Sequence, residues 1–180
     1  MSNDATSPDN DQARLQSYLA AQSAKLSADE IRERIESAAA EFFGMLDGIT
    51  DAAAHTRPAT GEWSIADILD HLALTMQDAA DIMRTLAAGK PAHAFQDHQP
   101  RPGQAARPVA ELLARLRNAQ AGVSEFLAAQ GAEPNTEVRV AESYFGETNW
   151  KGYALILRLH YRDHAEQVRK TLAAVARRAG

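Results

Sequence analysis

The chain has 180 residues, carries 19 Lys plus Arg against 24 Asp plus Glu for a net charge of −5, and contains no cysteine. That length supports one domain with a core that needs no staples, and the missing cysteine excludes disulfides, thiolate metal sites and cysteine nucleophiles. The acidic balance leaves no electrostatic footprint for nucleic acid or an anionic membrane, no apolar run reaches membrane-span length, and the polar start MSNDATSPDNDQ has neither part of a signal peptide, so a cytoplasmic protein is expected.

In chain order, residues 1–11 read as a disordered tail, polar and without apolar period. Residues 12–26 read as a lead-in helix around Leu15, Tyr18 and Leu19, and 27–178 as a single domain. Ser27-Ala-Asp-Glu30 has the spacing of a capping box. Behind it Ile31, Ile35, Ala38, Phe42, Leu46 and Ile49 recur every three or four residues, which predicts a helix to about residue 52. After the loop HTRPATGEW, Ser64 and Asp67 repeat the capping pattern. Trp63 and Ile68 stand where a hydrophobic staple would close. The apolar stripe Ile65, Ile68, Leu69, Leu72, Met76, Ala79, Met83 and Leu86 predicts a helix over about 64–88, with Gly89 as its stop.

Residues 89–107 hold three prolines and two glycines and show no period, so they read as a crossover, a lid or a disordered loop. Pro108 opens a third helix, marked by Leu112, Leu113, Leu116, Val123, Phe126 and Leu127 and ending near Gly131. The weak alternation in 132–147 fits a short hairpin or a plain loop. The last helix starts at Thr148 or Asn149 and runs to about Arg178. Four long amphipathic helices define an all-α fold, a four-helix bundle with a long crossover connection.

His160 and His164, four residues apart, lie about 40° apart on the helical wheel and one turn above each other. Two such imidazoles can share a metal ion, although solvent, Asp163 or Glu166 would satisfy them equally well. His71 occupies the same border of the apolar stripe on its own helix. If the two helices pack together, three imidazoles converge and leave an open coordination position of the catalytic kind. Zinc or nickel suits imidazole ligation, and iron(II) is also admitted. Such ligands bind metal only when neutral, so affinity is expected to fall below about pH 6.

Other polar residues have weaker claims. Gln167 shares the stripe of His160 and can orient a ligand or water; Tyr153, two turns before His160, can donate to a developing anion. Asp67, Thr75 and Asp163 are candidate partners for imidazole N–H groups. His93 and His98, in the proline-rich segment, read as solvated or as part of a lid. His55 suits a helix dipole, and Trp63 reads as a core anchor.

The segment Glu62-Trp-Ser-Ile-Ala-Asp-Ile-Leu-Asp-His-Leu72 resembles the Trp-Ser-x-x-x-x-x-x-His-Leu signature of the DinB/YfiT-like superfamily. His160-Tyr-Arg-Asp-His-Ala-Glu-Gln167 resembles its second signature, His-x-x-x-His-x-x-Gln. The resemblance spans roughly residues 27–178. It implies a four-helix bundle, often a homodimer, that binds a divalent metal through His71, His160 and His164. It also implies kinship with mycothiol-dependent maleylpyruvate isomerase and bacillithiol S-transferases, whose co-substrate is a low-molecular-weight thiol. The expected function is therefore metal-dependent S-transfer or isomerisation of a small-molecule substrate. Metal-dependent hydrolysis and a non-catalytic metal- or ligand-binding module remain the alternatives.

Overall fold

The computed structural model describes residues 8–96, 98–99, 106–131 and 134–179, with the side chains of 8, 9, 178 and 179 left aside. Six helices and one hairpin occur among these residues: α1 (Pro8–Lys25), α2 (Ala28–Gly44), α3 (Asp51–His55), α4 (Ile65–Ala87), α5 (Val109–Ala128), β1 (Val140–Glu142), β2 (Gly146–Thr148) and α6 (Trp150–Ala179). No helix among the described residues is long and apolar enough to cross a membrane.

The helix starts are set by their caps. Ser27 and Ser64 each accept from the backbone N–H three residues on, and Glu30 and Asp67 return the bond, so both predicted capping boxes form. At α6 the cap is Asn149, whose side-chain oxygen accepts from the Gly152 N–H at 3.1 Å. Gly152 cannot carry a side chain there, because a Cβ would lie 1.8 Å from Thr148 Oγ1.

Two elements differ from the sequence reading. The helix expected over 27–52 ends at Gly44. Its apolar stripe continues because Leu46 is buried in the turn that follows. Gly48 then takes a positive φ of 73° and Thr50 caps the short α3. The tail expected over 1–11 is helical from Pro8, while residues 1–7 lie outside the described part. The hairpin left open by the sequence is present, with Val140 opposite Thr148 and Glu142 opposite Gly146. Gln12 and Gln16 of α1 hold its turn by donating to the Ser143 and Tyr144 carbonyls.

α4 packs on α5 and α6, and α2 packs on the same two helices, which closes a four-membered ring. Two of the three connections in the ring are diagonal, from α2 to α4 by way of α3 and from α5 to α6 by way of the hairpin. The 89–107 segment joins two helices that pack together, α4 and α5. Ile31, Ile35 and Phe42 of α2 meet Leu112, Leu116 and Val123 of α5 and Leu157, Tyr161 and Val168 of α6 in one buried core. α4 is buried on nearly every face through its first three turns, Asp67, Asp70 and His71 included. The Asp70 carboxylate is matched by Arg115 of α5 at 2.6 Å, as a buried charge requires.

Candidate metal centre

His71 projects from the second turn of α4 and His160 and His164 from the middle of α6, the two helices packed side by side. One ligand nitrogen from each ring lies within 4.8 Å of the others. His71 Nε2 and His160 Nε2 are 2.8 Å apart, and the three ring centroids are separated by 4.6 to 5.0 Å. His71 and His164 are buried and His160 is half-buried.

The tautomers follow from the partners of the other ring nitrogens. His71 Nδ1 is 2.7 Å from the carbonyl oxygen of His98, and His164 Nδ1 is 2.8 Å from Gln167 Oε1. Both acceptors lack a proton, so both Nδ1 atoms must carry one, and Nε2 keeps its lone pair. Nitrogens facing each other at 2.8 Å repel unless a proton or a cation lies between them. Ligand nitrogens on a tetrahedral zinc stand about 3.3 Å apart, so this pair would have to part by about half an ångström around such an ion, and all three donors already lie within 4.8 Å of one another.

Burial pushes the His160 pKa down from 6.5 to about 3, helped by the neighbouring rings of His164 and His71. His164 is pushed down to about 4 by burial and by His71, against the opposing hydrogen bond from Gln167. Both rings are therefore neutral and ligand-competent far below pH 6. The proton competition expected at pH 6 moves to about pH 3–4, because a buried imidazole resists acquiring charge.

The remaining candidates are placed as follows. Gln167 meets the site through His164, fixing its tautomer. Tyr153 is buried in α6 and its hydroxyl donates to Glu142 of β1, which also accepts from the Phe95 N–H at 2.7 Å; burial and that carboxylate raise the phenol's pKa. Tyr153 thus ties the hairpin and the 89–107 segment to α6. Asp67 is spent on Ser64 and on Arg57 at 2.8 Å. The Thr75 hydroxyl has no hydrogen-bond partner among the described residues, and Asp163 lines a cavity of about 300 Å³ beside His160. His93 and His98 approach Asp78 at 3.0 and 3.4 Å. His98 reaches the site through its backbone carbonyl. The two nitrogens of His55 meet the carbonyls of Asp51 and Arg107, joining α3 to the start of α5.

Trp63, expected as a core anchor, also walls the site. Its ring lies 5.0 Å from His71 and runs within 11° of parallel to His164 at 6.1 Å. The staple position just before the Ser64 cap puts Trp63 eight residues, about two helical turns, before His71, a signal that could have been read from spacing. The His98 carbonyl had no such signal. Beside Trp63 and His164 opens the larger cavity, about 610 Å³.

A helical bundle with three inward imidazoles on two neighbouring helices, able to hold a divalent ion, is the class of protein this geometry defines. Residues 34–168 match the DinB superfamily, and the chain belongs to it. The crystal structure of TT2238, a four-helix bundle protein, superposes with a TM-score of 0.62 at 22% sequence identity. It covers 79% of this chain and 98% of that one, a likeness that shows the shared fold. No curated protein matches the chain.

Proposed function

We propose that the protein is a metal-dependent enzyme of the thiol-dependent S-transferase or isomerase type, with zinc or nickel held by His71, His160 and His164. The observation that carries this reading is the convergence of three imidazoles, two of them locked with Nε2 free of its proton, beside a cavity of about 610 Å³. When bound, such an ion is a Lewis acid that favours the deprotonated form of a thiol or water near neutral pH.

The chain's own residues do the rest. The His98 carbonyl and Gln167 keep the protons of His71 and His164 on Nδ1. Trp63 and the buried faces of α4 and α6 limit water on one side, which strengthens electrostatic interactions inside. Gln167 is in this reading a positioning residue acting through His164. The superfamily resemblance carries a homodimer with it, which sedimentation of the purified protein tests directly.

The test is elemental analysis of the protein as purified, followed by assay of the metal-loaded form with a panel of low-molecular-weight thiols and an electrophilic acceptor. About one divalent ion per chain is expected, with thiol consumption that disappears in His71→Ala. Turnover no higher than that of His71→Ala with every thiol would defeat the transferase reading, and ester cleavage without thiol would replace it with hydrolysis.

A further inference from the structure

The larger cavity has a chemistry of its own. Its floor is one stripe of α6, His164, Gln167, Thr171 and Ala174, at the three- and four-residue spacing of a single helix face. Gln167 spends its carbonyl oxygen on His164 Nδ1, so what it has left to offer is its amide N–H₂, a donor. Thr171 adds a hydroxyl and is itself buried. Farther along α6 stand Lys170 and Arg177, against a single acidic lining residue, Glu62. The lining therefore carries two positive charges and one negative in a chain whose overall charge is −5.

Arg177 has no carboxylate within ion-pair distance among the described residues. Lys170 has only Glu166, at 3.6 Å in an exposed i,i+4 pair, an interaction of little worth that a ligand can displace. Lys170 and Arg177 lie 6 and 13 residues beyond His164 in the chain, about 9 and 20 Å along the axis. Arg177 lines the same cavity as His164, and helical side chains lean toward the N-terminus, the direction of the imidazoles.

Resting on the reading given under Proposed function, we infer that this cavity takes a small organic anion as substrate. Its charged end is held by Lys170 and Arg177, with the Gln167 amide and Thr171 hydroxyl as donors along the way, and its reacting end lies against His164 and Trp63. Specificity for an anion then resides in the last turns of α6, separate from the imidazoles that set the chemistry.

The experiment compares two probes that differ in one group, 6-mercaptohexanoate and 6-mercaptohexan-1-ol, by titration calorimetry on protein whose zinc content has been measured. The carboxylate probe is expected to bind about tenfold more tightly, the worth of one charge-assisted hydrogen bond, and the advantage should shrink in 0.5 M salt, which screens exposed charges. In the Lys170→Gln/Arg177→Gln double variant the two probes should bind alike with zinc content unchanged, while Arg177→Lys retains the preference. Equal affinities in zinc-loaded wild-type protein would overturn the inference and leave the metal reading standing. A preference for the carboxylate in protein that takes up no zinc would do the reverse, and protein that takes up no zinc and binds neither probe would sink both.

Discussion

On α6, His164 has its Nδ1 held by Gln167, three residues farther along the same helix, at 2.8 Å. On α4, His71 has its Nδ1 held by the His98 carbonyl at 2.7 Å, which arrives from another segment altogether. The first contact is as stiff as the helix that carries both partners. The second depends on how residues 91–96, 98 and 99 are fastened. Those residues are tied down by Asp78, which meets the side chains of His93 and His98 and, at 3.4 Å, the Gln96 N–H, and by Glu142, which meets the Phe95 N–H. One ring is thus aimed by local geometry and the other by tertiary structure, although both bonds do the same chemical work.

Removing a ring erases both kinds of support at once and has the largest effect. His71→Ala, His160→Ala and His164→Ala should each lower bound metal from about one ion per chain to near zero by elemental analysis, since two imidazoles rarely hold a divalent ion. Next comes the local lock. Gln167→Ala should weaken zinc binding by about 10- to 100-fold in a chelator competition, while Gln167→Glu, which keeps an acceptor for Nδ1, should stay within about threefold. The tertiary lock comes third. Asp78→Asn keeps one carbonyl acceptor and leaves the Glu142 tie in place, so a loss of about threefold to tenfold is expected, with faster proteolysis in 91–99. A loss equal to that of Gln167→Ala would show that the segment is as decisive as the helix and erase the distinction.

The smallest effect concerns protons. In the folded chain His160 and His164 titrate at about 3 and about 4, against 6.5 when unperturbed. Protons on these two rings should therefore account for less than about a threefold change in zinc affinity between pH 7.5 and 5.5. The metal-free protein behaves differently. In the unfolded form these two rings take up protons near pH 6.5 while in the folded form they stay neutral there, so their stability contribution is complete above pH 6.5 and is lost as pH falls toward 4 and then 3. Urea midpoints at pH 7.5, 5.5 and 4.5 should decrease in that order, and a smaller decrease in His160→Ala would assign the loss to that ring.

The same division explains what could be read from the sequence. The capping boxes at Ser27 and Ser64 and the i,i+4 pair on α6 are local patterns with a fixed meaning on a helix, and the structure contains them; His71, read as a border residue, is instead buried, because that part of α4 is covered on nearly every face. The end of α2 was harder to read, because Leu46 stays buried after the helix has stopped and prolongs the apolar period. The partner of His71 was beyond reach, since a backbone carbonyl belongs to every residue and has no signature. Asp67, read as a partner for an imidazole, is spent in its own cap and on Arg57, while Asp78, which the sequence did not single out, meets His93, His98 and the Gln96 N–H.

The diagonal connections have a further consequence for the order of assembly. Of the neighbouring pairs in the ring, only α4 and α5 follow each other in the chain, and the ring closes when α6 docks between α2 and α4. α6 brings two of the three imidazoles, and His160 must find His71 across 89 residues of sequence, a contact of the slow, non-local sort. A metal ion held by these rings would stabilise the finished bundle and do nothing for a half-formed one, so its capture would be a late, all-or-none report that the last helix has docked.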